Sequence, residues 1–188
     1  MNLAFLGGTF DPPHIGHLWI AKQVEEQFHL KVRIVPNSQE ASKAWGKDKV
    51  SSEYDRLNMC KLAANAFNLT ASPIEIQNQF LYTYQTVQYF KENFPGIEEF
   101  YWIVGSDWGV KINQFKKFEE LEKICKFIIL KRPGEEIDPY IKYLLELRIN
   151  IQVSSTDIRT RVKEGYPITG LVTPEVEEYI KNKNLYKE

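Results

Sequence analysis

Gly7-Gly8-Thr9-Phe10-Asp11-Pro12-Pro13-His14-Ile15-Gly16-His17 directly follows the short apolar run Leu3-Ala4-Phe5-Leu6. The run reads as a buried strand. The glycine pair reads as a tight turn with room for a ligand close to the backbone, and the residues after Pro13 open a helix. Residues i and i+3 share a helix face, so His14 and His17 point the same way. They do so at a helix N-terminus, where free N–H groups and the macrodipole attract anions. Gly16 stands between them, with no side chain to hold a nucleotide off the helix. The chain has three histidines and two of them sit in this turn, which weakens the reading as ordinary surface histidines. The arrangement suits a polyphosphate.

Working outward, apolar runs alternate with helical stretches along all 188 residues. That pattern predicts an α/β fold: a single-domain, Rossmann-like open sheet, mainly parallel, with helices on both faces. One domain is expected over residues 1–188. A helix is expected from about His14 to Phe28, a strand at Val32–Val35, and a polar, exposed loop over 38–51 carrying an isolated Trp45. Ser52 with Asp55 resembles a capping box opening a helix to about Phe67. Residues 69–80 read as extended, and a helix capped by Thr83 runs to about Asn93. Strands are expected at Phe100–Val104, Cys125–Leu130 and Asn150–Val153. Thr173-Pro174 starts the closing helix.

Hydrophobic residues make up 43% and charged residues 26% of the chain, an ordinary globular composition. The formal net charge of -1 argues against a broad nucleic-acid surface, so a phosphate site must be local. Cys60 and Cys125 lack metal-ligand spacing and read as buried thiols. No secretory pattern or membrane-length apolar stretch is visible. The expected setting is cytoplasmic.

In open α/β sheets, ligands bind beyond the carboxyl ends of the strands. This rule gathers Gly7–His17, Pro36–Lys43, Gly105–Asp107 and the residues after Val153 on one rim. There Ser154-Ser155-Thr156-Asp157-Ile158-Arg159 opens a helix. Its hydroxyls can cap N–H groups or reach phosphate oxygens, and Arg159 carries a forked donor set matched to phosphate.

The first block resembles the signature of the His-x-Gly-His nucleotidyltransferase superfamily. In its full form it is similar to bacterial nicotinate mononucleotide adenylyltransferases. Val153-Ser154-Ser155-Thr156 through Arg159 resembles that family's second phosphate motif, with Val153 in place of isoleucine. The likeness runs on through Arg56 to Met59, Tyr82-Thr83 with Thr86, Gly105 with Asp107, and the tail from Gly170 to Tyr186. Leu81 stands where the family has serine, Glu40-Ala41-Ser42-Lys43 replaces Pro-Pro-His-Lys, and Phe115 occupies the position of a tryptophan that stacks on the pyridine ring.

The resemblance implies transfer of AMP from ATP to nicotinate mononucleotide, with Mg²⁺ bound chiefly by phosphates and water. It assigns His17 to the α-phosphate transition state, His14 to phosphate binding nearby, and Arg159 with Ser155 to the leaving pyrophosphate. Gly7, Gly8, Thr9, Phe10, Gly16 and Ser154 complete the ATP site, Lys43 is a supplementary phosphate contact, and Gly105 and Asp107 meet the ribose. Thr83, Tyr84, Thr86, Phe115 and Lys116 fall around the pyridine. Asp11 is expected to fix the turn, and no side chain is assigned to the metal. The nearest alternatives are nicotinamide mononucleotide or phosphopantetheine as acceptor. Class I aminoacyl-tRNA synthetases also carry His-Ile-Gly-His, but this chain lacks their Lys-Met-Ser-Lys-Ser motif. Intact His14, His17 and Arg159 speak against a nucleotide-binding module without activity.

Overall fold

Alternate side chains of a strand face opposite sides of its sheet, and in this protein both sides are apolar. The computed structural model describes residues 2–47, 50–106, 112–131, 144–148 and 151–187. Six strands, β1 (Leu3–Gly8), β2 (Lys31–Pro36), β3 (Thr70–Ala71), β4 (Phe100–Gly105), β5 (Lys126–Lys131) and β6 (Leu144–Glu146), form one sheet in the order β3-β2-β1-β4-β5-β6. Every neighbouring pair is parallel.

Helices α1 (Ile15–Phe28), α2 (Gln39–Ala44), α3 (Glu53–Ala66), α4 (Ile74–Gln77), α5 (Thr83–Asn93), α6 (Phe118–Leu121), α7 (Ser155–Lys163) and α8 (Pro174–Asn182) connect and cover it. Ala4, Leu6, Ile34 and Ile103 pack on one side with Leu18 of α1, Met59 of α3, Ile158 of α7 and Val176 of α8. Leu3, Phe5, Val35 and Trp102 pack on the other with Phe90 of α5 and Leu121 of α6. Phe5 is fully buried, its ring 4.8 Å from Phe90 and 5.7 Å from Trp102. Burial of one such side chain is worth about 1.5–3 kcal/mol. The expected open α/β sheet with helices on both faces is therefore present.

Five local expectations are corrected. Gly7 and Gly8 make no turn; they continue β1, paired with Val35 and Pro36. The segment 38–51 is not loop throughout: Ser38 caps α2 by accepting the Ala41 N–H at 3.1 Å, and Ser42 donates to Asn37 Oδ1 at 2.8 Å. Those bonds let Ser38 and Ser42 be buried despite a polar sequence. Residues 69–80 are extended only at β3, because Pro73 has no N–H for a ladder and stands at the start of α4. The N-cap of α5 is Tyr82 rather than Thr83, with Gln85 Oε1 accepting the Tyr82 N–H at 3.1 Å. Finally, β6 lies at Leu144–Glu146. Residues 151–153 form no strand, since the Val153 N–H is taken locally by the Ile151 carbonyl at 3.0 Å; Asn150 lies outside the described residues.

The chain passes from β1 to β2 on one side and later returns to β4 on the other. The crevice beyond the ends of β1 and β4 is thus the topological switch point, where such sheets take ligands.

Candidate active site

The turn that delivers the histidines is made at Phe10, which has φ 51, not at the glycines. Gly7 is required for another reason: a Cβ there would lie 2.4 Å from Cζ2 of Trp102. A Cβ on Gly16 would meet His14 Nδ1 at 3.0 Å, so this glycine makes room for the His14 ring as well as lining the cavity.

His14 is the N-cap of α1 and His17 lies in its first turn. Their rings stack with centroids 3.6 Å apart, as the i, i+3 spacing predicts, and Phe10 meets His17 edge-on at 4.9 Å. The backbone N–H of His14 donates to His17 Nδ1 at 3.2 Å. That bond makes Nδ1 an acceptor, so the neutral ring carries its proton on Nε2. Burial pushes His14 down to about 4, against a smaller raising effect of Asp157. His17 is held well below the usual histidine range by burial first, then by His14 and Lys47. Near neutral pH both rings are uncharged N–H donors, and an arriving phosphate would raise them again. His14 Nδ1 is buried with no hydrogen-bond partner among the described residues.

Among the described residues, three cations bond the Thr9–Asp11 segment that precedes the pair. Arg159 donates to the Asp11 carbonyl at 2.7 Å and to Thr156 Oγ1 at 3.2 Å. Lys47 Nζ reaches Thr9 Oγ1 at 3.1 Å, and its pKa is lowered by burial and by Arg159 and Arg56. Arg56 is fully buried and donates to Thr9 O, Asn37 Oδ1, Asn37 O and Ser51 O at 2.7, 2.9, 2.8 and 3.2 Å. One guanidinium thereby ties the loop after β1, the end of β2 and the start of α3 together. Asp11 is likewise committed, accepting from Ser51 N at 3.2 Å and from Tyr186 O–H at 2.7 Å. Ser154 caps α7 and Ser155 Oγ donates to Pro12 O at 2.8 Å, which docks the second phosphate motif onto the first.

Two cavities meet here. The larger, about 990 Å³, is lined by Gly7, Gly8, Thr9, Phe10, Asp11, His14, Gly16, His17, Lys47, Gly105, Ser154, Ser155 and Arg159, among others. The smaller, about 370 Å³, is lined by Asn37, Trp45, Glu75, Leu81, Tyr82, Thr83, Trp102 and Phe115, and shares Gly7, Gly8, Thr9, Lys47 and Ile103 with its neighbour. Of the residues expected around the pyridine, Thr83 and Phe115 line this pocket. Tyr84 instead lies under Lys117 Nζ at 4.8 Å, Thr86 is buried against Glu75, and Lys116 is exposed. The N–H groups of Thr83 and Tyr84, in the first turn of α5, have no acceptor among the described residues.

The structure does not bring Lys43 to either cavity. It pairs with Glu40 at 2.8 Å on an exposed face of α2, and among the described residues Lys47 is the lysine on the walls. Asp107 lies outside the described residues. Sequence reading missed Lys47, Arg56, Trp45 and Glu75 as site residues. Arg56 was findable: it shares its helix face with Met59, Cys60 and Ala63, all buried, so periodicity alone places a charge inside. Lys47 carried no such signal.

The family model described as cytidylyltransferase-like matches residues 5–161. A protein of Thermoanaerobacter sp. (strain X514) named "Probable nicotinate-nucleotide adenylyltransferase" is 37% identical over 204 residues, covering 100% of this chain and 95% of that one. One of the same name from Methylacidiphilum infernorum is 39% identical, covering 98% and 92%. The fold matches Plasmodium falciparum nicotinic acid mononucleotide adenylyltransferase complexed with NaAD, with a TM-score of 0.77 at 22% identity, covering 98% of this chain and 97% of that one.

Proposed function

Because the chain belongs to the cytidylyltransferase-like family and, within it, to the nicotinate-nucleotide adenylyltransferases, we propose that it transfers AMP from ATP to nicotinate mononucleotide, giving nicotinate adenine dinucleotide and pyrophosphate. One observation carries this reading. A cavity large enough for ATP and a smaller, partly aromatic pocket share the wall formed by Gly7, Gly8, Thr9 and Lys47. Two nucleotides seated there would meet phosphate to phosphate.

The attacking phosphate oxygen is already ionised, so catalysis rests on positioning and on stabilising charge at the α-phosphorus. His17 Nε2–H donates to an α-phosphate oxygen, and His14 beside it supplies a second neutral donor. Lys47, on both walls, spans the attacking and α-phosphates. Arg159 and Ser155 take the leaving pyrophosphate. At the other end Phe115 stacks on the pyridine, and the N–H groups of Thr83 and Tyr84 receive its carboxylate.

Mg²⁺ belongs to this proposal as a companion of ATP. Among the described residues no three metal-binding side chains cluster, and Asp11, the carboxylate on the larger cavity's lining, has both oxygens engaged. That donor set fits a cation held by phosphate oxygens and water, where it neutralises their charge. The same reading takes residues 1–188 as one domain in a cytoplasmic setting, supported by two free, buried cysteines. Among the described residues no helix is long and apolar enough to cross a membrane.

The test is pyrophosphate release from ATP with nicotinate mononucleotide, nicotinamide mononucleotide or phosphopantetheine as acceptor. Turnover with the nicotinate compound is expected. Turnover with phosphopantetheine alone, or with none of the three, overturns the proposal.

A further inference from the structure

A glutamate lines the pocket that a carboxylate-bearing ring must enter. If the mononucleotide's phosphate lies at the shared wall of Gly7, Gly8, Thr9 and Lys47, its base falls against the rest of the lining, which includes Glu75, Leu81, Tyr82, Thr83 and Phe115. Glu75 is held between the buried Ile74 and Ile76 of α4 and is itself 7% exposed. Its Oε1 accepts the Thr86 O–H at 2.7 Å, and among the described residues its carboxyl has no other hydrogen-bond partner. Among the described residues, the charged groups on neighbouring elements make their hydrogen bonds or ring contacts elsewhere. Arg56 of α3 serves Thr9, Asn37 and Ser51, and Glu53 of α3 accepts from Gln39 N and Gln79. Arg33 of β2 lies over the Phe90 ring, and Lys47 stands at the phosphate end, bonded to Thr9.

From this placement we infer that Glu75 reads the substituent on the pyridine ring, admitting a carboxylate when it carries a proton and favouring an amide when it does not. A protonated carboxyl offers an O–H donor to the nicotinate oxygen. An ionised one accepts an N–H of nicotinamide and repels a carboxylate. Burial pushes Glu75 up to about 7, with the Thr86 hydrogen bond and Arg56 pulling it back, so both forms are present near neutral pH. Binding of the nicotinate ligand therefore draws a proton from solution onto Glu75, and binding of the amide releases one. The inference rests on the function proposed above and adds the residue that sets its substrate preference.

Two measurements test it. The first is kcat/KM for both mononucleotides from pH 6 to 8. The phosphate ionisation common to both cancels in their ratio. The nicotinate value should fall about tenfold relative to a pH-independent acceptor as Glu75 deprotonates, while the amide value rises. In Glu75→Gln, which keeps an oxygen for Thr86 and always offers an N–H donor, the ratio should be flat and favour nicotinate. In Thr86→Val, which removes the bond that favours ionisation, the midpoint should move to higher pH. The second is calorimetry of each mononucleotide with the wild-type protein at pH 7.5, in buffers of different ionisation enthalpy. The two ligands should differ by about one proton.

A flat ratio in the wild type, or equal proton exchange, overturns the role of Glu75 while both acceptors still turn over. Failure of both mononucleotides to react removes the function and this inference together. Should Glu75→Gln not fold, the two wild-type measurements decide alone.

Discussion

Replacing Arg56 with methionine keeps the bulk of the side chain and deletes its charge and all its donors. Three acceptors lose their partner at once, Thr9 O, Asn37 O and Ser51 O, and Asn37 Oδ1 keeps the Ser42 hydroxyl. Hydrogen bonds to a charged group are each worth about 1.5–3 kcal/mol. They are not additive here, because the buried guanidinium itself costs desolvation and the loops can recover some water. A net loss of about 3–5 kcal/mol is the working figure, because each buried acceptor left without a partner costs about 1–3 kcal/mol and relief of the guanidinium's desolvation offsets part of the sum. For a chain of this length each kcal/mol shifts Tm by roughly 2–4 °C, so thermal unfolding should fall by roughly 6–20 °C. Thr9 and Asn37 also line the pockets, so the KM values of ATP and of the mononucleotide should both rise. Calorimetric unfolding and steady-state kinetics on one preparation check both effects. Arg56→Lys should recover only part, since three ammonium hydrogens cannot reproduce the forked set. A shift below about 2 °C with both KM values unchanged would show that the guanidinium does not hold these loops.

His17→Ala should lower the single-turnover rate by about 10²–10³ with ATP affinity nearly kept; quenched-flow measurement of a rate near wild type refutes its role at the α-phosphate. Lys47→Met should raise the KM of both substrates, whereas Lys43→Met should change neither and cost at most about 1 kcal/mol, as an exposed ion pair does. The pH dependence of stability has two opposed parts. His14 is depressed from 6.5 to about 4, so the unfolded chain binds more protons across that window, and stability is lost as pH falls through it, by up to about 3 kcal/mol. Glu75 is raised from 4.5 to about 7, so its contribution is present below 4.5 and is lost as pH rises through that interval. The two offset each other between about pH 4.5 and 6.5, and denaturant titrations should show a steeper rise with pH in Glu75→Gln than in the wild type.

The central strands β1, β2, β4 and β5 and the helices α1, α3 and α5 were legible from the sequence, because they carry strong local apolar patterns. Leu3–Leu6 and Phe100–Val104 are continuous apolar runs, as strands buried on both faces require, and α3 announces itself at Ser52 and Asp55. The stacking of His14 on His17 was legible too, since helix geometry alone puts i and i+3 together. Where the local signal was weak it misled. Ile151 and Val153 are apolar and line the large cavity, so the run resembles a strand, yet only the partner strand's position decides pairing. A polar stretch such as Ser38–Ala44 reads as loop until the tertiary structure shows its hydroxyls satisfied inside.

The remaining site residues depend on separations no local pattern encodes. Lys47 meets Thr9 across 38 positions, Ser155 meets Pro12 across 143, and Tyr186 closes on Asp11 across 175. The roles of Glu75 and Arg56 come from burial, which turns an ordinary carboxyl and guanidinium into a proton-sensitive wall and a loop clamp. Local sequence set the backbone geometry and the chemical groups available. Low dielectric and long-range packing decided which of those groups share a cavity and in what charge state they wait there.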